Sequence, residues 1–174
     1  MAMLKGEDIV LLLKLTHQDP DWTVRTLESE TTIPRSVVQR SLKRLWQAGL
    51  FDPGRRVANV LQTEEFLVHG LKFVFPGAVS GESRGIATAW AAKPLVDKIA
   101  ASAAGELPPV WPTPRGEIRG LALEPLHRSV VEAANRDPLL GEQLALVDAI
   151  RIGDARIRGL AADMLSERLG PASK

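Results

Sequence analysis

A chain of 174 residues with 45% hydrophobic and 25% charged side chains has a globular composition, neither disordered nor fibrous. Its 22 basic and 21 acidic residues nearly cancel, so net charge draws it to no polyanion and any nucleic-acid contact must come from local clustering. The absence of cysteine excludes disulfides, thiolate metal sites and cysteine nucleophiles, and agrees with a reducing compartment.

In "KGEDIVLLLKLTHQDP", Ile9, Leu12, Leu13 and Thr16 recur at helical spacing, and Asp19-Pro20 ends the segment. The apolar run Ile9 to Leu13 is too short and wrongly flanked for a signal peptide, and no run has the length of a membrane span. A cytoplasmic location is the expectation. Thr23 can cap a second helix that turns Val24 and Leu27 inward. A third follows in "TTIPRSVVQRSLKRLWQAGLF", with Pro34 in its first turn and Val38, Leu42 and Leu45 as its apolar stripe. Gly49 suits the left-handed position that closes it.

Pro53-Gly54 signals a turn, and Arg55-Arg56-Val57 reads as a short strand. "VLQTEEFLVHGLKFVF" reads as a fourth helix, closed by Pro76-Gly77. Residues 77 to 125 lose helical periodicity. Within them "ESRGIA" at 82 to 87 resembles "EIRGLA" at 117 to 122, which suits either matched strands packed on one another or chance. "AKPLVDKIAASAA" reads as a short helix. Asp137-Pro138 then starts a helix carrying Leu140, Leu144, Val147 and Ile150. Gly153 breaks it, Asp154 caps a last helix, and Ile157, Leu160, Ala161, Met164, Leu165 and Leu169 form an apolar face. That face is expected to pair two copies of the chain.

The order helix, helix, helix, short strand resembles the winged helix-turn-helix domains of bacterial transcription regulators of the MarR and related types. "IPRSVVQRSLKRLWQAGLF" carries the resemblance, with Leu42, Leu45, Gly49 and Leu50 matching the pattern that leads into the wing. It covers about residues 5 to 60. Where those families usually have glycine this chain has Thr32; Thr31 stands at an apolar position and Glu28 where alanine is common. The resemblance implies a mainly α protein with minor β-strands: a winged helix-turn-helix DNA-binding domain at 1–76, and an irregular middle with a C-terminal helical dimerisation or regulatory region at 77–174. It also implies a transcriptional regulator, expected as a dimeric repressor. An antitoxin-like autoregulator of its own operon, or an adaptor with a winged-helix fold and no DNA binding, are the alternatives.

The residues themselves point to DNA contact. Between Arg35 and Arg56 stand six basic residues and one acid, Asp52. A helix fits the major groove, where Arg pairs with guanine and Gln with adenine, while Ser and Lys hold phosphates. The expected DNA-contacting set is Arg35, Ser36, Val37, Gln39, Arg40, Lys43, Arg44, Arg55 and Arg56. Arg84 and Arg119, repeated in the two similar segments, are candidates for an anionic effector or for ion pairs with Glu82 and Glu117. A protein partner is the other possibility for the regulatory region.

No chemistry is read beyond that. His17, His69 and His127 lack metal-ligand spacing, and no phosphate-binding loop, dinucleotide fingerprint or nucleophile elbow occurs. Neither metal, cofactor nor enzymatic activity is expected. Glu64-Glu65, Asp148 and Asp154 read as exposed helix acids, and Trp22 and Trp46 as core.

Overall fold

The computed structural model describes residues 3–99 and 106–169. Helices cover 55% and strands 14%, so the mainly α expectation holds at that level. Three helices open the chain: α1 (Gly6–Leu15), α2 (Val24–Thr31) and α3 (Arg35–Gln47). Thr23 caps α2 by accepting a hydrogen bond from the Thr26 amide at 3.0 Å. Gly49 ends α3 at φ 76, the left-handed conformation that only glycine adopts freely.

The three departures around α2 have local explanations. Thr31 is fully buried, with its hydroxyl donating to the Leu27 carbonyl at 2.6 Å. Thr32 turns the chain at φ 62, where a β-branched residue is strained. Glu28 reaches forward and accepts the Arg35 amide at 3.0 Å, so it satisfies an otherwise orphaned donor at the start of α3.

After α3 a two-residue antiparallel hairpin, β1 (Phe51–Asp52) and β2 (Val57–Ala58), encloses the turn 53–56. Arg55 and Arg56 therefore lie in the turn and not in the expected strand. The next helix is interrupted: α4 (Val60–Glu65) passes through a π turn (Phe66–Gly70) into α5 (Leu71–Val74).

The two similar segments do pair. They lie in β3 (Val79–Ala87) and β5 (Ile118–Leu123), antiparallel, with Arg84 opposite Arg119 and Ser83 opposite Gly120. β4 (Pro109–Pro112) is antiparallel to β3 and parallel to β5, so the three strands close on one another as a small barrel. Closure requires glycine. A methyl group at Gly85 would lie 2.2 Å from the Trp111 carbonyl oxygen, and one at Gly120 2.1 Å from that of Pro108. Between β3 and β4 the expected short helix is replaced by 3₁₀ turns at Ala89–Ala91 and Leu95–Asp97; its remainder, 100–104, lies outside the described residues.

α6 (Val130–Arg136), α7 (Pro138–Ile152) and α8 (Ala155–Leu169) complete the chain. Asp137 caps α7 through the Leu140 amide at 3.2 Å, and Asp154 caps α8 through the Ile157 amide at 2.8 Å. α7 is the central element: it packs on α1, α5, α6 and α8, and every residue from Gln143 to Ile150 is buried. One apolar cluster joins Leu12 and Leu27 to Leu146 and Leu165, so the segments before and after residue 76 share a core. The expected dimerisation face of α8 is part of it. Ala161, Leu165 and Leu169 are fully buried and α8 packs on α7 and α4 of the same chain, whereas Ile157, Leu160 and Met164 of the same face are half-buried.

Candidate nucleic-acid interface

α3 packs on α1 and α2 through Val38, Ser41, Arg44 and Leu45. At about 100° per residue the opposite side carries Arg35, Ser36, Gln39, Arg40 and Lys43, and all five are exposed. Among the described residues the side chains of Gln39, Arg40 and Lys43 have no hydrogen-bond or ion-pair partner, whereas Arg35 Nε lies 3.6 Å from Glu28. Val37 is half-buried against the core. Trp46, expected in the core, is 55% exposed and extends the outward strip together with Gln47. Its spacing, seven residues after Gln39 and three after Lys43, was the signal for that.

Two of the nine expected contacts are engaged by other groups of the protein, Arg44 in its interior and Arg56 at its surface. Arg44 is buried: its Nε and Nη2 each lie 2.7 Å from an oxygen of Asp8, and Nη2 also reaches Glu7 at 3.3 Å and Ser41 at 3.2 Å. The fork-to-carboxylate geometry matches both guanidinium edges to one acid and locks α3 to the first turn of α1. Arg56 stacks over Trp22 at 4.1 Å and donates from Nε to the Pro20 carbonyl at 2.8 Å and from Nη2 to that of Trp22. The Trp22 indole donates in return to the Arg56 carbonyl at 2.9 Å, which fixes the hairpin turn at φ 61. Both guanidinium groups hold the frame; Arg44 is buried, while Arg56 stays exposed in the turn. Arg55 is different. Only its amide is bound, by Asp52 at 3.0 Å, and its side chain projects from the exposed turn.

Arg84 and Arg119 are exposed neighbours across β3 and β5, and Arg119 is ion-paired with Glu82. They line neither of two grooves that the fold forms elsewhere. The larger, about 830 Å³, runs beside the hairpin and is lined by His17, Arg55, Val57, Asn59, Leu61 and Leu139 among others. At its edge Asp137 accepts from His17 Nε2 at 2.8 Å and Lys14 Nζ at 2.6 Å, and Lys14 also meets Glu30 at 2.7 Å. Burial raises the pKa of Asp137, but the bonds from His17, Lys14 and the Leu140 amide outweigh it and hold the carboxyl at about 2.

Asp148, expected to be exposed, is 2% exposed in the middle of α7. It accepts from Thr88 Oγ1 and Trp111 Nε1, each at 2.7 Å, and from Arg151 Nη1 at 2.8 Å. This network ties the small barrel to the central helix through the buried Trp111 indole. Among the described residues no acid and histidine group could hold a metal, and no helix is long and apolar enough to cross a membrane. Compared with known protein families, curated proteins and solved structures, the chain matches none.

Proposed function

We propose that the chain binds double-stranded DNA through the outward face of α3, with Arg55 of the hairpin turn as a flanking phosphate contact, and that it acts as a transcriptional regulator. The observation that carries this is the row Ser36, Gln39, Arg40 and Lys43, exposed together on a helix whose other side is fixed by packing and by the Arg44–Asp8 pair. Unneutralised cations clustered on one rigid face of a nearly neutral chain form the electrostatic footprint suited to a polyanion. Gln39 and Arg40 have the donors and acceptors that read base edges; Arg35, Lys43 and Arg55 suit phosphates. Repression as a dimer, and autoregulation of its own operon, are the forms of regulation this reading favours.

The rival reading is a protein-interaction adaptor. It is favoured by the brevity of β1 and β2, two residues each, and by the engagement of Arg56 with the Pro20 and Trp22 carbonyls, which leave little wing to reach a second groove. A titration of the DNA upstream of its own gene at low and moderate salt separates the two. With Arg35, Arg40, Lys43 and Arg55 on phosphates or base edges, the logarithm of affinity should fall against log salt with a slope of up to about −4 per chain. Absence of binding even at low salt would leave the adaptor reading.

A further inference from the structure

Among the described residues most large apolar side chains are buried, and two of the most exposed lie on one helical segment. Along α4, the π turn and α5, Thr63, Leu67 and Leu71 face the core and are buried. On the opposite side Leu61, Glu65, His69 and Phe73 recur every four residues, and all are exposed. Leu61 and Phe73 are each 77% exposed, which is unusual for large apolar side chains on a helix.

The π turn explains why these four make a single row. In an α-helix four residues advance about 400°, so a stripe at that spacing drifts by about 40° at every step. The wider turn at Phe66–Gly70, in which the Leu71 amide donates to the Phe66 carbonyl, advances less per residue and cancels much of that drift. A local insertion of this kind keeps positions four apart on one side of the segment, in agreement with the exposure of all four.

The row is complementary to itself. Two copies laid antiparallel about an axis through residue 67 bring Leu61 of each onto Phe73 of the other, and Glu65 of each onto His69. Both ends of the contact are then apolar, and its middle pairs a carboxylate with an imidazole. Along the row lies a groove of about 490 Å³ formed by Leu4, Ala48, Leu50, Gln62, Phe66 and Gly70 together with the row's own Glu65 and His69. We infer that this face is the dimer interface and that its occupant is a second copy of the chain. The inference deepens the regulator reading by moving its dimer contact from α8 to α4–α5, and it would set the two α3 helices about a two-fold axis as a symmetric operator requires.

The test is hydrodynamic mass without DNA, so that its failure and the failure of DNA binding are read separately. Sedimentation equilibrium of the parent should give the mass of two chains. Because each substitution enters a two-fold contact twice, Leu61→Glu and Phe73→Glu should each weaken association by about 30-fold or more. Their far-UV circular dichroism should match the parent, since both positions face solvent in the single chain. Glu65→Lys and His69→Glu should each weaken the dimer, and the two combined should restore it. A parent that is monomeric at all concentrations, or a dimer that survives both Leu61→Glu and Phe73→Glu, overturns the proposal. Failure of the combined variant to recover overturns the antiparallel register.

Discussion

Helices α3 and α7 have similar lengths, 13 and 15 residues, and opposite surroundings. α3 buries one side and leaves Ser36, Gln39, Arg40 and Lys43 in water; α7 is enclosed from Gln143 to Ile150. Both carry charge. On α3 the arginines divide the work: Arg44 turns inward to Asp8, and Arg40 stays outside without a partner among the described residues. On α7 the enclosed Asp148 is held by Arg151, Thr88 and Trp111. A charge in water is available to a ligand at little cost to stability, whereas a charge in the core becomes a liability once its partner is removed. The comparison therefore separates residues that the fold needs from residues that the fold merely presents.

The sharpest way to break that separation is at Asp148. Replacing it with alanine leaves the Arg151 guanidinium, only 6% exposed, without its acid and strands two further donors. Asp148→Ala should lose about 3–5 kcal/mol of unfolding free energy in urea, while the folded fraction keeps its DNA affinity. A loss under about 1 kcal/mol would show the network to be dispensable.

On α3 the same kind of change should act oppositely. Arg40→Ala should cost roughly 1–3 kcal/mol of affinity for the cognate site and leave the urea midpoint where it was. Lys43→Ala should weaken every sequence alike and flatten the salt slope by about one ion. If Arg40→Ala binds as tightly as the parent, the outward face does not read bases.

The cap of α7 gives a pH signature. The Asp137 carboxyl sits at about 2 against an ordinary 3.8, so its ionised form is favoured by folding. Its contribution is fully present above about pH 4 and disappears as pH falls through about 2, a loss of about 2 kcal/mol. Urea midpoints of Asp137→Asn should lack this component between pH 4 and 2, and identical acid profiles for variant and parent would remove it from the account.

The smallest expected effect is a gain. Thr32 closes α2 at φ 62, and glycine relieves a strain of about 1–2 kcal/mol while adding about 0.4–1 kcal/mol of unfolded-chain entropy. Thr32→Gly should therefore raise stability by less than about 1 kcal/mol in thermal unfolding without changing DNA affinity.

Local chemistry made much of the scaffold legible. The caps at Thr23, Asp137 and Asp154, the stop at Gly49 and the apolar stripe of α3 depend on groups a few residues apart, and each was readable as such. The likeness of 82–87 to 117–122 suggested a strand pair, and β3 and β5 form it in register. Periodicity also placed Gln39, Arg40 and Lys43 outward. It misplaced Trp46, because an aromatic at the margin of a stripe is apolar by type and exposed by angle.

What the sequence determined by itself was α1, α2, α3, α7 and α8, several of their caps and the outward face of α3, since those follow from contacts within one or two turns; α6, the π turn at 66–70 and the 3₁₀ turns at 89–97 were not read from it. The tertiary structure decided the rest. Arg44 meets Asp8 across 36 positions, Arg56 is bound by Pro20 and Trp22 across 36 and 34, and Thr88 reaches Asp148 across 60. Periodicity shows that α8 has an apolar face without showing what covers it, and α7 and α4 cover it here. Amphipathic pattern tells which side of a helix avoids water; only the packing of distant segments tells whether that side, or a charge beside it, is left for a partner.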